Sequence, residues 1–106
     1  MPQPKKYRVY WSMKASEDLA DIYAYIEEDS TIAADIVIDT LLELGNLLES
    51  MPERFPREWN LEDAPLVFRF IPKWNYKIIY TVKVDERLVI IARVFHSGQD
   101  PEKIEI

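Results

Sequence analysis

Near the end of the chain lie two runs rich in β-branched and aromatic residues, Tyr76-Lys77-Ile78-Ile79-Tyr80-Thr81-Val82 and Val89-Ile90-Ile91-Ala92-Arg93-Val94-Phe95-His96, separated by a short segment holding Asp85-Glu86. Such composition favours extended backbone, and so short an acidic turn joins the runs as an antiparallel hairpin. Before them, Leu66-Val67-Phe68-Arg69-Phe70-Ile71 reads as a strand halted by Pro72 and turned through Lys73-Trp74-Asn75. The last third is therefore expected to hold three strands, the last two paired as a hairpin. Period-two alternation puts Tyr76, Ile78, Tyr80, Val82 and Val84 on one, core-facing side. In the last run Leu88, Ile90, Ala92, Val94 and His96 form one set and Val89, Ile91, Arg93 and Phe95 the other. Both sets are largely apolar, so this strand is expected to be central, with the sheet order otherwise open.

The first half carries a different period. After a short alternating strand, Tyr7-Arg8-Val9-Tyr10-Trp11, residues Ala15, Leu19, Ile22 and Ile26 recur at three- and four-residue steps, the stripe of an amphipathic helix running to about Glu28. Ser12 or Ser16 can cap it, and Tyr23 and Tyr25 flank its buried stripe. Asp29-Ser30-Thr31 interrupts the pattern and caps a second helix, buried along Ala33 or Ala34, Val37, Leu41, Leu44 and Leu48. So short a connection implies an antiparallel helix hairpin. Gly45 inside the second helix costs about 1 kcal/mol relative to Ala, which implies a close neighbour there. Met51-Pro52 ends the helix, and residues 53–65 read as an irregular loop with at most one short turn. Glu102 to Ile106 reads as a frayed tail or an added edge segment.

With 106 residues there is material for one α+β domain, spanning 1–106, and one core. Zero cysteines and a single histidine leave no thiolate or ordinary zinc site, and the clustered acids Glu27-Glu28-Asp29 read as a solvated helix end, so neither metal nor cofactor is expected. No apolar run is long enough to span a bilayer and Met1-Pro2-Gln3-Pro4-Lys5-Lys6 lacks the apolar core of a secretion signal, so the reading is cytoplasmic, without a membrane.

Charge placement says more than the net value of -6. From Ala15 through Glu53 there is no Lys or Arg against eleven Asp and Glu, whereas Arg69, Lys73, Lys77, Lys83, Arg87 and Arg93 outnumber Asp85 and Glu86 between Leu66 and His96. A polyanion is repelled by the helical half and could approach only the sheet half. Arg69 and Arg93 read either as phosphate ligands or as cross-strand charges, and His96 reads first as a strand-end residue hydrogen-bonded to a loop. Trp59 reads as a cover over one end of the core. Trp74, together with Tyr23 and Tyr25, is a candidate interface anchor.

Several of these residues also form a sequential pattern: Trp11-Ser12, then Ala15, Asp18-Leu19, Ile22 and Tyr25-Ile26, Ala34 and Leu41, Pro52, Arg69, Tyr76-x-Ile78-x-Tyr80-x-Val82, and Val94-x-His96-x-x-x-Asp100-Pro101. In this order and over nearly the whole chain it resembles the RelE/ParE superfamily, the toxin halves of bacterial type II toxin–antitoxin modules. The resemblance implies an α+β fold of one strand, a helix hairpin and a three-stranded meander, and a cognate antitoxin that wraps and neutralises the toxin.

Within that superfamily, RelE-like members are said to cut mRNA in the ribosomal A site, and ParE-like members to poison DNA gyrase and stabilise plasmids. Cutting RNA by 2′-hydroxyl attack needs a base, an acid and cations on the phosphate, for which Arg69, Lys77, Arg93 and His96 are the candidates. After His96, where relatives often carry Arg, this chain has Ser97-Gly98-Gln99. The acidic helix hairpin and the His-x-x-x-Asp-Pro ending look closer to the ParE-like branch, which needs only a surface that grips a protein. Gyrase is the preferred partner, ribosome and mRNA the alternative, and a partner-binding module without toxicity the third. Self-association into a homodimer is left open.

Overall fold

The computed structural model of the protein describes residues 6–106; the start of the segment 1–6 weighed above as a leader, residues 1–5, lies outside them. The order is β1 (Arg8–Trp11), α1 (Met13–Glu27), α2 (Thr31–Asn46), β2 (Phe68–Lys73), β3 (Tyr76–Lys83) and β4 (Leu88–His96). This is the α+β arrangement expected: one strand, two helices, then an antiparallel meander. In the sheet the order is β1-β4-β3-β2, with β1 parallel to β4 and the other pairs antiparallel. The last strand is central, as its two apolar faces imply. No helix is long and apolar enough to cross a membrane among the described residues.

Both helices start on serine hydroxyls. Ser12 Oγ accepts from Ala15 N at 3.0 Å and Ser30 Oγ from Ala33 N at 3.1 Å, each satisfying a donor that the first helical turn would otherwise leave unpaired. Ser12 also ties α1 to the sheet: its hydroxyl donates to the Ala92 carbonyl at 2.8 Å and its backbone N–H to Ile91 O at 2.9 Å. Strand β1 therefore hands the chain to α1 beside the middle of β4.

The helices cover one sheet face. Ala15, Leu19, Leu41 and Leu48 pack there with Ile71, Ile78, Tyr80, Val89, Ile91 and Val94. Gly45 marks the closest approach, since a Cβ built on it would lie 2.8 Å from Ile91 Cδ1 and nearer still to the Trp11 ring. The close neighbour inferred from a glycine within the helix is thus Trp11, whose Nε1 also donates to Asn46 Oδ1 at 3.1 Å. Buried Tyr80 donates its hydroxyl to the Pro52 carbonyl, pinning the chain beyond α2 to β3. Burial raises that phenol to about 12, against the lowering effect of Arg69 and Arg54.

Four expectations need correction. Alternation along β4 does not run through: Tyr80 pairs with Ile91 but Ile79 with Arg93, so Ala92 is an extra residue, a β-bulge. The core face consequently takes Val89 and Ile91 before the bulge and Val94 after it, whereas Ala92 and Phe95 join the opposite face with Ile79. Second, Pro72 lies inside β2 rather than halting it. Strand β2 is an edge, and two residues earlier the Phe70 N–H points outward to Pro56 O at 3.1 Å, so the proline replaces an N–H that would face away from β3. Third, residues 53–65 are more ordered than a loop. Turns of 3-10 helix occupy Pro52–Arg54 and Trp59–Leu61, Arg57 bridges Arg69, and Trp59 is exposed rather than covering the core. Fourth, the C-terminal residues do not form an edge strand or fray: Ile104 is buried with Phe68, Ile79, Ala92 and Phe95, closing the second sheet face.

Candidate functional site

The four residues weighed above for RNA chemistry fall into three places. Arg93 is held by Asp18 of α1 through two contacts, Nε to Oδ2 at 2.8 Å and Nη2 to Oδ1 at 2.9 Å, and its Nη1 donates to the Glu105 carbonyl. This bonding raises the guanidinium pKa further, chiefly through the Asp18 hydrogen bond. Asp18 Oδ2 also accepts the Val94 N–H at 2.9 Å, on the stretch of β4 that runs past its pairing with β1, so one carboxylate caps a strand N–H and holds a cation at once.

Lys77 lies on the sheet face opposite the helices, alternating with core residue Ile78. Its ammonium is 3.0 Å from Glu58 Oε2 and sits over the Phe70 ring at 4.7 Å. The Glu58 side chain is 1% exposed and is also hydrogen-bonded by Asn60 Nδ2 at 2.7 Å. Arg69, on the helix side opposite Tyr80, donates from Nη1 to the Phe55 carbonyl at 2.7 Å. Lys77 and Arg69 are thus separated by the sheet and each is anchored to the 55–60 segment.

Only Arg93 and His96 come together. Both line a shallow cleft of about 230 Å³ between α1 and β4, with Asp18, Asp21, Ile22 and Gln99 also in its wall. Beside it a cleft of about 320 Å³ is lined by Asp21, Ile22, Tyr25, Tyr76, His96 and Gln99. The His96 ring meets Tyr76 edge-on, centroids 5.4 Å apart at 78°, and its Nδ1 accepts the Gly98 N–H at 3.1 Å. This is the loop-bonded strand-end histidine expected from its position. Gly98 is part of the arrangement, because a Cβ there would lie 2.7 Å from His96 Cε1. Burial, and after it the neighbouring Tyr25, raises the Tyr76 phenol.

Of the three candidate anchors, Tyr25 is 76% exposed at the mouth of this cleft, while Tyr23 is half-buried and donates to Asp35 Oδ1 at 3.0 Å across the helix hairpin. Trp74 is 54% exposed at the β2–β3 turn, under the Lys73 ammonium at 4.7 Å, and takes a left-handed φ of 51°. Asp18 and Glu58, the partners that fix Arg93 and Lys77, carry no signal of that pairing in the sequence. Asp18 stood in the Asp18-Leu19 pattern, but nothing local pairs it with a residue 75 positions away.

The family model described as the ParE toxin of the type II toxin-antitoxin system, parDE, matches residues 9–101. The chain belongs to the ParE toxin family. It is thus a type II toxin of the RelE/ParE superfamily. No curated protein matches this ParE-family chain in sequence. Its fold is similar to the chromosomal ParDE toxin–antitoxin system of P. aeruginosa, at 19% identity and a TM-score of 0.68 over 86% of this chain and 96% of that one. It is also similar to the toxin–antitoxin complex RelBE2 of Mycobacterium tuberculosis (20%, TM-score 0.60, 92% and 98%). The archaeal RelE-RelB complex of Pyrococcus horikoshii OT3 is a third (16%, TM-score 0.60, 90% and 99%). At these identities the likenesses establish the fold that ParE and RelE proteins share.

Proposed function

We propose that this ParE-family toxin acts in the cytoplasm by binding a protein, DNA gyrase, and that a cognate antitoxin restrains it. The observation that carries this reading is the occupation of the cations. Arg93, Lys77 and Arg69 are each engaged within the fold, by Asp18, Glu58 and the Phe55 carbonyl, on two faces of the sheet. Phosphoryl-transfer chemistry on RNA needs such groups preorganised around one phosphate, whereas a gripping surface does not. The acidic helical half opposes docking into ribosomal RNA as well. Antitoxin partnership is supported by the toxin–antitoxin complexes of similar fold.

The test is a supercoiling assay with purified gyrase. Inhibition at stoichiometric toxin without mRNA degradation supports the reading; an unaffected gyrase at large excess removes it. A second reading, ribosome-dependent cleavage of mRNA, is favoured by one observation, the shared cleft of Arg93 and His96. It requires codon-phased cuts in a translating extract that vanish with His96→Ala.

A further inference from the structure

We infer that the cleft between α1 and the adjoining ends of β3 and β4 is a socket for an arginine side chain presented by a protein partner. The inference rests on the protein-binding reading above and names what that surface recognises. The wall is chemically mixed. Tyr25, Tyr76 and His96 contribute aromatic surface, Ile22 an apolar floor, and Asp21 the carboxylate. At about 320 Å³ the cleft lies near the lower end of the roughly 300–1,000 Å³ typical of ligand pockets and has room for a whole side chain.

Charge decides the sign of the occupant. Asp18 and Asp21 are three residues apart on α1 and so share a helix face. Asp18 is matched by Arg93, while no hydrogen bond or ion pair engages Asp21 among the described residues. The Arg93 charge beside the cleft is already balanced, which leaves Asp21 in excess, on a helix pair that has no cation from Ala15 through Glu53. An anion is repelled, and a purely apolar side chain would strip water from Asp21 without replacing its hydrogen bonds. A cation gains both the carboxylate and the ring faces. Arginine suits the wall better than lysine, because its planar guanidinium stacks on rings while its fork pairs with a carboxylate, as Arg93 and Asp18 do one turn away.

The structure also fixes two of the three rings, Tyr76 and His96, in advance. His96 is held by the Gly98 N–H and by Tyr76, and Asn75 O, next to Tyr76, accepts from Ser97 N at 2.7 Å and from Ser97 Oγ at 2.9 Å. A preorganised wall loses little freedom when the side chain enters.

The test is a titration of the purified full chain with two peptides, acetyl-Gly-Arg-Gly-amide and its citrulline counterpart, which has nearly the same shape and no charge. Ring resonances of Tyr25, Tyr76 and His96 are followed by NMR. Saturable shifts confined to these rings, with the arginine peptide binding about fivefold or more tightly than the citrulline peptide, are expected. Asp21→Asn, an exposed change that leaves the core intact, should abolish the difference, and Tyr25→Ala should weaken both peptides. Equal binding of the two peptides, no saturable shift, or shifts elsewhere overturns the inference. The gyrase assay reads a different quantity: inhibition without an arginine preference sinks the socket alone, and an arginine preference without inhibition sinks the gyrase target alone.

Discussion

Asp18 and Arg93 form a two-point ion pair, at 2.8 and 2.9 Å, that joins the first helix to the last strand directly beyond the β-bulge. Because Asp18 also accepts the Val94 N–H, removing its carboxylate strands both a guanidinium and an edge N–H. Both side chains are mostly shielded from water, so screening weakens the pair less than it would a surface pair.

Asp18→Ala should therefore cost about 2–4 kcal/mol of stability and Arg93→Ala less, about 1–3 kcal/mol. A double-mutant cycle by urea denaturation should give a coupling of roughly 1–3 kcal/mol. A coupling near zero would reduce the pair to two independent surface charges. Loss of toxicity in Arg93→Ala is consequently informative about a target only once its stability has been measured.

How much of this was legible in the sequence depends on the range of the signal. Helix caps, the core stripes of α1 and α2, and the central place of β4 follow from local spacing, and the structure has Ser12, Ser30, Ala15 and Leu41 accordingly. The bulge at Ala92 was not legible, because both faces of β4 are apolar and period-two counting gives no sign of one inserted residue. Nor was the pairing of Lys77 with Glu58 or of Arg93 with Asp18, since contacts across the fold leave no trace in a single chain. Pro72 misled for a related reason: whether proline ends a strand or lies within it depends on which neighbour the missing N–H would have faced.

Gly45 is a case where local sequence and tertiary contact agree. In an isolated helix Gly45→Ala would gain about 1 kcal/mol. Here the new methyl group meets Trp11 and Ile91, and overpacking of this kind costs about 1–3 kcal/mol. The variant should be no more stable than the parent and is expected to be less so by urea midpoint. Trp11→Leu in the same chain should recover part of the loss, a result that a purely helical effect of the alanine would not give.

Tyr80 carries an alkaline sensitivity. Its phenol ionises near 10 when the chain is unfolded and at about 12 in the fold, because burial favours the neutral form. The unfolded state then releases its proton first, so this contribution is fully present below pH 10 and is lost as pH rises from 10 through 12. The span corresponds to roughly 2–3 kcal/mol. Tyr80→Phe should remove that slope in denaturation measured between pH 9 and 12 on the order of one unit apart, while costing about 1 kcal/mol at neutral pH through the unsatisfied Pro52 carbonyl. An unchanged slope would assign the alkaline loss to other groups.

Trp74 occupies a backbone conformation that favours glycine, on a turn held in place by two hydrogen bonds from Ser97 to the Asn75 carbonyl. A left-handed φ costs a non-glycine residue roughly 1–2 kcal/mol. Trp74→Gly relieves that strain but loses the contact with Lys73, about 0.5–1 kcal/mol, and adds a similar entropic cost in the unfolded chain. These terms nearly cancel, so thermal unfolding should show stability within about 1 kcal/mol of the parent. That outcome would mean that the exposed indole adds little to folding and is free to serve a contact with a partner. If Trp74 anchors gyrase or the antitoxin, the same variant should lose about tenfold or more in affinity, the scale of an interface hot spot. Unchanged binding by calorimetry to both would remove Trp74 from the interface and leave Tyr25 as the next of the three candidate anchors to test.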